Sequence, residues 1–358
     1  MIFTLFIAFI SLIGLVVLHE LGHFITAKIF GVKVEEFGIG YPPRLIGKKI
    51  GETIYSLNLL PFGAFVKIYG EEKKAVGNQS FSQKPIWQRA LIVLGGVVSF
   101  WIISVILLSI IMALGTPTII SDEENGRLTG PKVQIAAVSP GSPAEIAGLE
   151  VGDTIISLKS NEELNVNKVK EVQEFTELNK GQQISLKIQR GKEVFETSIV
   201  PRVSPPEGEG AMGLALVRTA VKSYPWYEAP FRGTLAVGNL TIAVVRGWIM
   251  AFTNLIKGLP TGAQLMGPVG IFSLFAQAGQ LGAIYFLQFI AIISVYIALF
   301  NILPIPALDG GKLLFLAIEK VRRKPVSQKI EQKITAAFFM ILIFLMVLVT
   351  IKDIARLF

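Results

Sequence analysis

The chain has 358 residues, of which 52% are hydrophobic and 17% charged, and its formal net charge is +8. Soluble domains carry about a quarter of charged residues, so a lipid bilayer is the expected solvent for much of this one. No nucleic-acid motif accompanies the basic excess, cysteine is absent and histidine occurs twice; disulfides and thiolate metal sites are excluded, and no nucleic-acid partner is expected.

The first apolar stretch runs from residue 1 to about residue 30, interrupted only by His19, Glu20, His23 and Lys28. With no basic n-region and an apolar run longer than a usual signal-peptide core, it reads as a retained transmembrane helix. Residues 32–69 carry short alternating runs punctuated by Gly38, Gly40, Pro42, Pro43 and Pro61, which predict strands. An uncharged second span follows at about 90–114, ending at Gly115 and Pro117. Residues 235–256 are also apolar, but Arg246 lies at their middle, so an amphipathic or re-entrant segment is expected there. Third and fourth spans are expected at about 283–303 and 336–351.

Charge orients these spans. Residues 31–89 carry nine Lys or Arg against five acids, and residues 312–333 carry seven against two. By the positive-inside tendency both segments face the cytoplasm, and the basic run Lys320, Arg322, Arg323 and Lys324 marks that side. The net-acidic stretch 116–230 then lies outside. The expected fold class is a polytopic α-helical membrane protein with about four transmembrane helices. Its parts are an N-terminal membrane part, 1–115, an extracytoplasmic domain, 116–230, and a C-terminal membrane part, 231–358.

His19-Glu20-Leu21-Gly22-His23 is an H-E-x-x-H pattern inside the first apolar helix. Residues four apart share a helix face, so both imidazoles reach one zinc ion, and Glu20 is positioned to act on water. The plainer reading is a polar patch facing a bundle interior. Ionisable groups are costly in lipid, and three of them at ligand spacing favour the metal site. A catalytic zinc takes three protein ligands and keeps one position open. With no third histidine and no cysteine the third must be a carboxylate, and Asp309 is the one acid between Glu228 and Glu319. Alone, an aspartate at a span exit is a helix cap. Four spans, however, bring the end of the third to the same inner side as the motif, which makes Asp309 a ligand.

The motif at 19–23 and the distant run 301–311, Asn-Ile-Leu-Pro-Ile-Pro-Ala-Leu-Asp-Gly-Gly, together resemble the site-2 protease family of intramembrane zinc metalloproteases, in its RseP-like branch. The resemblance covers essentially the whole chain. Between the motifs, residues 133–138, 139–149 and 151–156 resemble the opening of one inserted, β-rich PDZ-like domain with its core at 131–203. A helix at 168–178 and a hairpin of 184–188 and 194–200, closed by Gly191-Lys192, complete it.

The resemblance implies that His19, His23 and Asp309 hold Zn2+, that Glu20 is the catalytic base, and that Asn301 binds substrate near the metal. It implies single-pass membrane protein substrates, such as anti-sigma factors and remnant signal peptides, and the plasma (inner) membrane of a bacterium. It also implies that the loop at 32–69 is membrane-associated and pairs with unwound substrate; an ordinary cytoplasmic hairpin is the other reading of those residues. The PDZ-like domain has two open roles, strand addition of a peptide or chain end and size filtering. One departure lies in the second span, Gly95-Gly96-Val97-Val98-Ser99-Phe100, where many relatives have Pro and Asn; Ser99 is the candidate replacement contact. A catalytically inactive PDZ-bearing scaffold or chaperone is the competing class, and a transporter would be expected to show internal repeats, of which none is visible.

Overall fold

A computed structural model describes residues 2–71, 75–124, 128–191, 193–206, 208–260 and 266–355. Met1 and Lys192, which belong to the expected first span and hairpin turn, lie outside the described residues. Along the chain come α1 (Ile2–Ile29), the strands β1 (Val34–Ile50) and β2 (Thr53–Ile68), and α2 (Ile86–Leu114). Then follow β3 (Thr116–Ile120), β4 (Leu128–Val138), α3 (Pro143–Ile146), β5 (Thr154–Lys159), β6 (Glu163–Asn165) and α4 (Val169–Leu178). The strands end with β7 (Ile184–Arg190), β8 (Glu193–Ile199) and β9 (Leu214–Lys222). The remainder is helical: α5 (Ala229–Ile256), α6 (Pro268–Leu281), α7 (Ala283–Ile302), α8 (Asp309–Arg322) and α9 (Gln328–Ala355). The chain divides into two compact units, 1–111 with 229–358, and 112–228.

In lipid, backbone amides must be satisfied within their own segment, so the apolar runs of the first unit become helices. Among the described residues five of them, α1, α2, α5, α7 and α9, are long and apolar enough to cross a membrane, by length and composition. Four were expected; the additional one is α5. Residues 235–256, expected as an amphipathic or re-entrant segment, form most of an unbroken 28-residue helix. Its buried Val237 and Val244 join a cluster with Leu108 and Ile111 of α2 and Ala291, Val295 and Leu299 of α7. Arg246 is exposed on the opposite face, where its long stem lets the charge reach an interface.

Pairs of contacts set the direction of these helices. Gly233 abuts Ser109, and Trp101 Nε1 donates to Thr241 Oγ1 at 3.2 Å, so α5 runs antiparallel to α2. Ser104 Oγ donates to Ala291 O at 3.0 Å and Ser294 Oγ to Phe100 O at 2.8 Å, so α7 is antiparallel to α2 as well. Hence α5 and α7 run the same way, and the chain turns back between Ile256 and Ala283. The α9 helix has one buried residue, Asp353. Its carboxylate accepts from Gly267 N and Gly270 N, both at 2.8 Å, and so caps the start of α6 from a distant part of the chain.

The second unit is built on a sheet of order β3-β9-β4-β5-β7-β8, with β6 on β5. Alternate residues Ile184, Leu186 and Ile188 of β7 face a core that includes Val133, Ile135, Ile155, Leu158 and Val172. The strands expected at 133–138, 184–188 and 194–200 and the helix expected at 168–178 coincide with β4, β7, β8 and α4. The strand β3 was not expected. It lies on β9 from Thr116↔Lys222 to Ile120↔Arg218, so 218, 219, 221 and 222 are paired on both flanks while 214–217 pair with β4 alone.

One ion pair ties this sheet to its loops. Arg190 holds Asp153 through two bonds of 2.8 Å, and Asp153 also accepts from Glu150 N at 2.9 Å. Burial disfavours the Asp153 charge, but the Arg190 guanidinium and the Glu150 amide outweigh it and lower the carboxyl below its ordinary value. A lowered folded-state pKa stabilises above the unfolded value of about 3.9, and that contribution is lost as the pH falls through the folded one. Asp153→Asn is therefore expected to speed hydrogen exchange in β5 and β7 of the full-length protein at neutral pH. The difference from wild type should vanish below the ordinary aspartate range.

Candidate metal centre

The first two helices meet where glycine removes the side chain. A Cβ on Gly22 would overlap the Gly95 carbonyl, and one on Gly96 would overlap the His23 ring. This close approach presses the 19–23 motif against α2. There His23 Nδ1 lies 2.9 Å from Ile92 O, and donation to that carbonyl leaves Nε2 free to point inward. The His19 ring stacks on Phe100, with centroids 4.7 Å apart and planes at 18°.

Asp309 arrives from the other end of the chain. The prolines at 304 and 306 cannot continue α7, so the chain turns and restarts at Asp309, the first residue of α8. A Cβ on Gly310 or Gly311 would overlap the carbonyls of this turn, so both glycines are needed to press the start of α8 onto it. The result is a closed triangle. His19 Nε2 and His23 Nε2 are each 3.2 Å from Asp309 Oδ2 and 3.3 Å from one another.

Zinc bound at about 2.0–2.1 Å to tetrahedral ligands keeps its donors about 3.3–3.4 Å apart. The observed edges come within about 0.1 Å of that range. All three residues are buried, and Asp309 Oδ2 has no hydrogen-bond partner among the described residues. Lone pairs converging at this distance repel unless a cation sits among them. His19, His23 and Asp309 are the one such group of three or more metal-ligating side chains among the described residues. Donor chemistry, spacing and burial all suit zinc.

Two cavities open from this centre. The smaller, about 160 Å³, is bordered by Glu20, His23, Tyr41, Asp309, Lys312 and residues 64–66 of β2. The larger, about 1000 Å³, reaches His19, Glu20 and Asn301 and is walled by charged residues, among them Glu71, Arg89, Glu319 and Glu331. Arg89 and Glu319 form a two-pronged pair, at 2.6 and 3.1 Å, between α2 and α8. Walls so charged suit water rather than lipid.

The 32–69 loop forms the expected strands in a folded-over hairpin. Residues 36–39 pair on both flanks, with 64–67 and with 54–57, whereas 64–68 pair on one side only. The edge so formed borders the smaller cavity.

Structure thus brings Glu20 to the same cavities as the three candidate ligands, and Asn301 to the larger of them. The Asn301 Nδ2 donates to Ile297 O of its own helix at 3.0 Å. Ser99, the candidate replacement for a family asparagine, donates to Gly96 O at 2.6 Å and borders neither cavity. Two features went unread in the sequence: the glycine contact of α1 with α2, and Lys312. Glycines at 22, 95 and 96 in two apolar helices were the available signal for the first.

Comparison with known proteins accords with this centre. The profile of peptidase family M50 matches residues 7–345. A Clostridium perfringens relative, named among the zinc metalloproteases, is 35% identical over 97% of this chain and 97% of its own length. The regulator of sigma-W protease RasP of Bacillus subtilis is 27% identical over 98% of each chain, and the zinc metalloprotease RasP of Oceanobacillus iheyensis is 25% identical over 99% of this chain. The chain belongs to peptidase family M50, which makes it a zinc metalloprotease with several apolar helices able to span a membrane.

Proposed function

We propose that this protease is an intramembrane endopeptidase that hydrolyses peptide bonds in or near the transmembrane segments of single-pass membrane proteins. The observation that carries this reading is the His19, His23, Asp309 triangle, built on helices apolar enough for lipid and open to a cavity large enough for peptide and water. These three residues are the zinc ligands. Zinc held there would supply Lewis acidity, lowering the pKa of water towards about 7 and polarising the scissile carbonyl. Glu20 takes a proton from water and passes it to the leaving amine. The hydrogen bond to Ile92 O keeps His23 in the ligating tautomer, and Asn301 offers its amide to the substrate backbone.

A helical peptide bond is shielded by its own hydrogen bonds and must become extended before attack. The one-sided edge at 64–68, beside the smaller cavity, supports the substrate-pairing reading of the β-loop. The PDZ-like domain has a comparable edge at 214–217 of β9, where a chain end or extended peptide would add. Charge distribution supports an extracytoplasmic position for that domain with the metal centre towards the cytoplasm, and the resemblance implies a bacterial plasma membrane. Anti-sigma factors and remnant signal peptides are the substrate classes the resemblance implies, and the name of the Bacillus relative, a regulator of sigma-W, fits the first.

Bound zinc and cleavage of a single-span reporter, measured together, test the reading. Wild type is expected to carry one zinc and cut the reporter. Asp309→Ala, which opens the triangle, is expected to lose zinc affinity by at least about 100-fold, more than loss of an outer-shell partner costs, and to lose cleavage with it. Zinc-free wild type indistinguishable from the variant would defeat the assignment.

A further inference from the structure

One cation at the metal centre has no part in this account. Lys312 stands three residues after Asp309 in the first turn of α8, so the two side chains share a face. It borders both cavities and is the one lysine or arginine among the described residues around the smaller. Its Nζ meets Glu71 Oε1 at 2.6 Å, joining α8 to the segment that follows β2. A pair that merely fastened two segments could stand anywhere along their contact. This one stands where Glu20, the ligands and the β2 edge meet.

We propose that Lys312 is a further catalytic residue, whose ammonium binds the oxygen of the scissile carbonyl as that oxygen gains negative charge, with Glu71 holding it in position. The proposal rests on the endopeptidase reading. In the attack a water oxygen bonds to the carbonyl carbon, one water proton passes to the Glu20 carboxylate, and the carbonyl π pair moves onto oxygen. One negative charge thereby leaves Glu20 and appears beside the Lys312 ammonium, inside one small cavity. On collapse the pair returns, the C–N bond breaks, and Glu20 gives its proton to the leaving amine. The new carboxyl releases its proton to solvent. A donor fixed in advance where charge develops acts on the transition state more than on the substrate.

The test uses the full-length protein in detergent with a single-span reporter and a phosphinic peptide that mimics the tetrahedral state. Lys312→Met is expected to lower kcat by about 100-fold with KM within about twofold. It should weaken the phosphinic peptide by a similar factor while zinc content and Tm stay at wild-type values. Glu71→Gln should cost no more than about fivefold, the worth of a solvent-open ion pair. Equal losses in Glu71→Gln and Lys312→Met would reduce the pair to a fastener and overturn the proposal. So would full activity of Lys312→Met, or its loss transferred to Tyr41→Phe, the other donor bordering the cavity. Should wild type itself fail to cut, the endopeptidase reading has fallen and this role with it; an active wild type beside an active Lys312→Met refutes the lysine alone.

Discussion

Glu20→Gln is expected to keep one zinc per chain and to lose cleavage by about 100- to 10,000-fold, the range that a positioned general base contributes. Glutamine has nearly the shape of glutamate, so packing of α1 against its neighbours is preserved. It can donate a hydrogen bond but cannot take up a proton, and proton transfer from water to the leaving amine has no other carboxylate on the smaller cavity besides Asp309 and Glu71. Asp309 faces the two imidazoles, and Glu71 is engaged by Lys312. Zinc content and single-turnover cleavage, read on the same preparation, separate this outcome from loss of the metal. An active Glu20→Gln would remove Glu20 from the chemistry altogether.

Gly96→Ala is expected to do the reverse, weakening zinc binding although none of the proposed ligands is touched. The added methyl group occupies the position of the His23 ring, so either the imidazole rotates or α1 withdraws from α2. Overpacking of this kind costs about 1–3 kcal/mol where the surroundings can shift. Here Gly22 and Gly95 close the same contact from both sides, and a shift of the helices breaks His23 away from Ile92 O. Zinc affinity should fall by at least about 10- to 100-fold, as when an outer-shell partner is removed. Excess zinc should restore part of the cleavage, which it cannot do for Glu20→Gln. Undiminished zinc binding by Gly96→Ala would mean that the helices have room they are not seen to have.

How much of this centre was legible beforehand depended on whether the signal was local. The spacing of His19 and His23 is a property of one helix, and the pattern survives without tertiary information. Asp309 was reachable by elimination because acids are scarce in the C-terminal membrane part. Lys312 was hidden by its company: it is one of seven basic residues in 312–333, and as a group they were read as a marker of membrane side. Its partner Glu71 lies 241 positions away in sequence. The glycine contact was hidden for a similar reason, since an apolar helix tolerates glycine anywhere and its partner surface is another helix. Arg246 drew attention away from α5 as a long helix, because the periodicity of 235–256 does not show that the charge faces away from the packing stripe. The strand β3 has no alternation long enough to announce itself and exists because β9 has an edge to offer.

That last strand has a consequence for how the chain is put together. Thr116 and Lys222 lie opposite one another on adjacent strands, so the β-rich unit leaves the chain almost where it entered. A domain whose ends are neighbours behaves as a cassette. It can be excised and its ends joined by a turn of a few residues, or exchanged for another module, without altering the order of the helices on either side. The metal centre and the β-rich unit are in this sense separable parts of one chain, and the helices that carry the first keep their order whatever stands in place of the second.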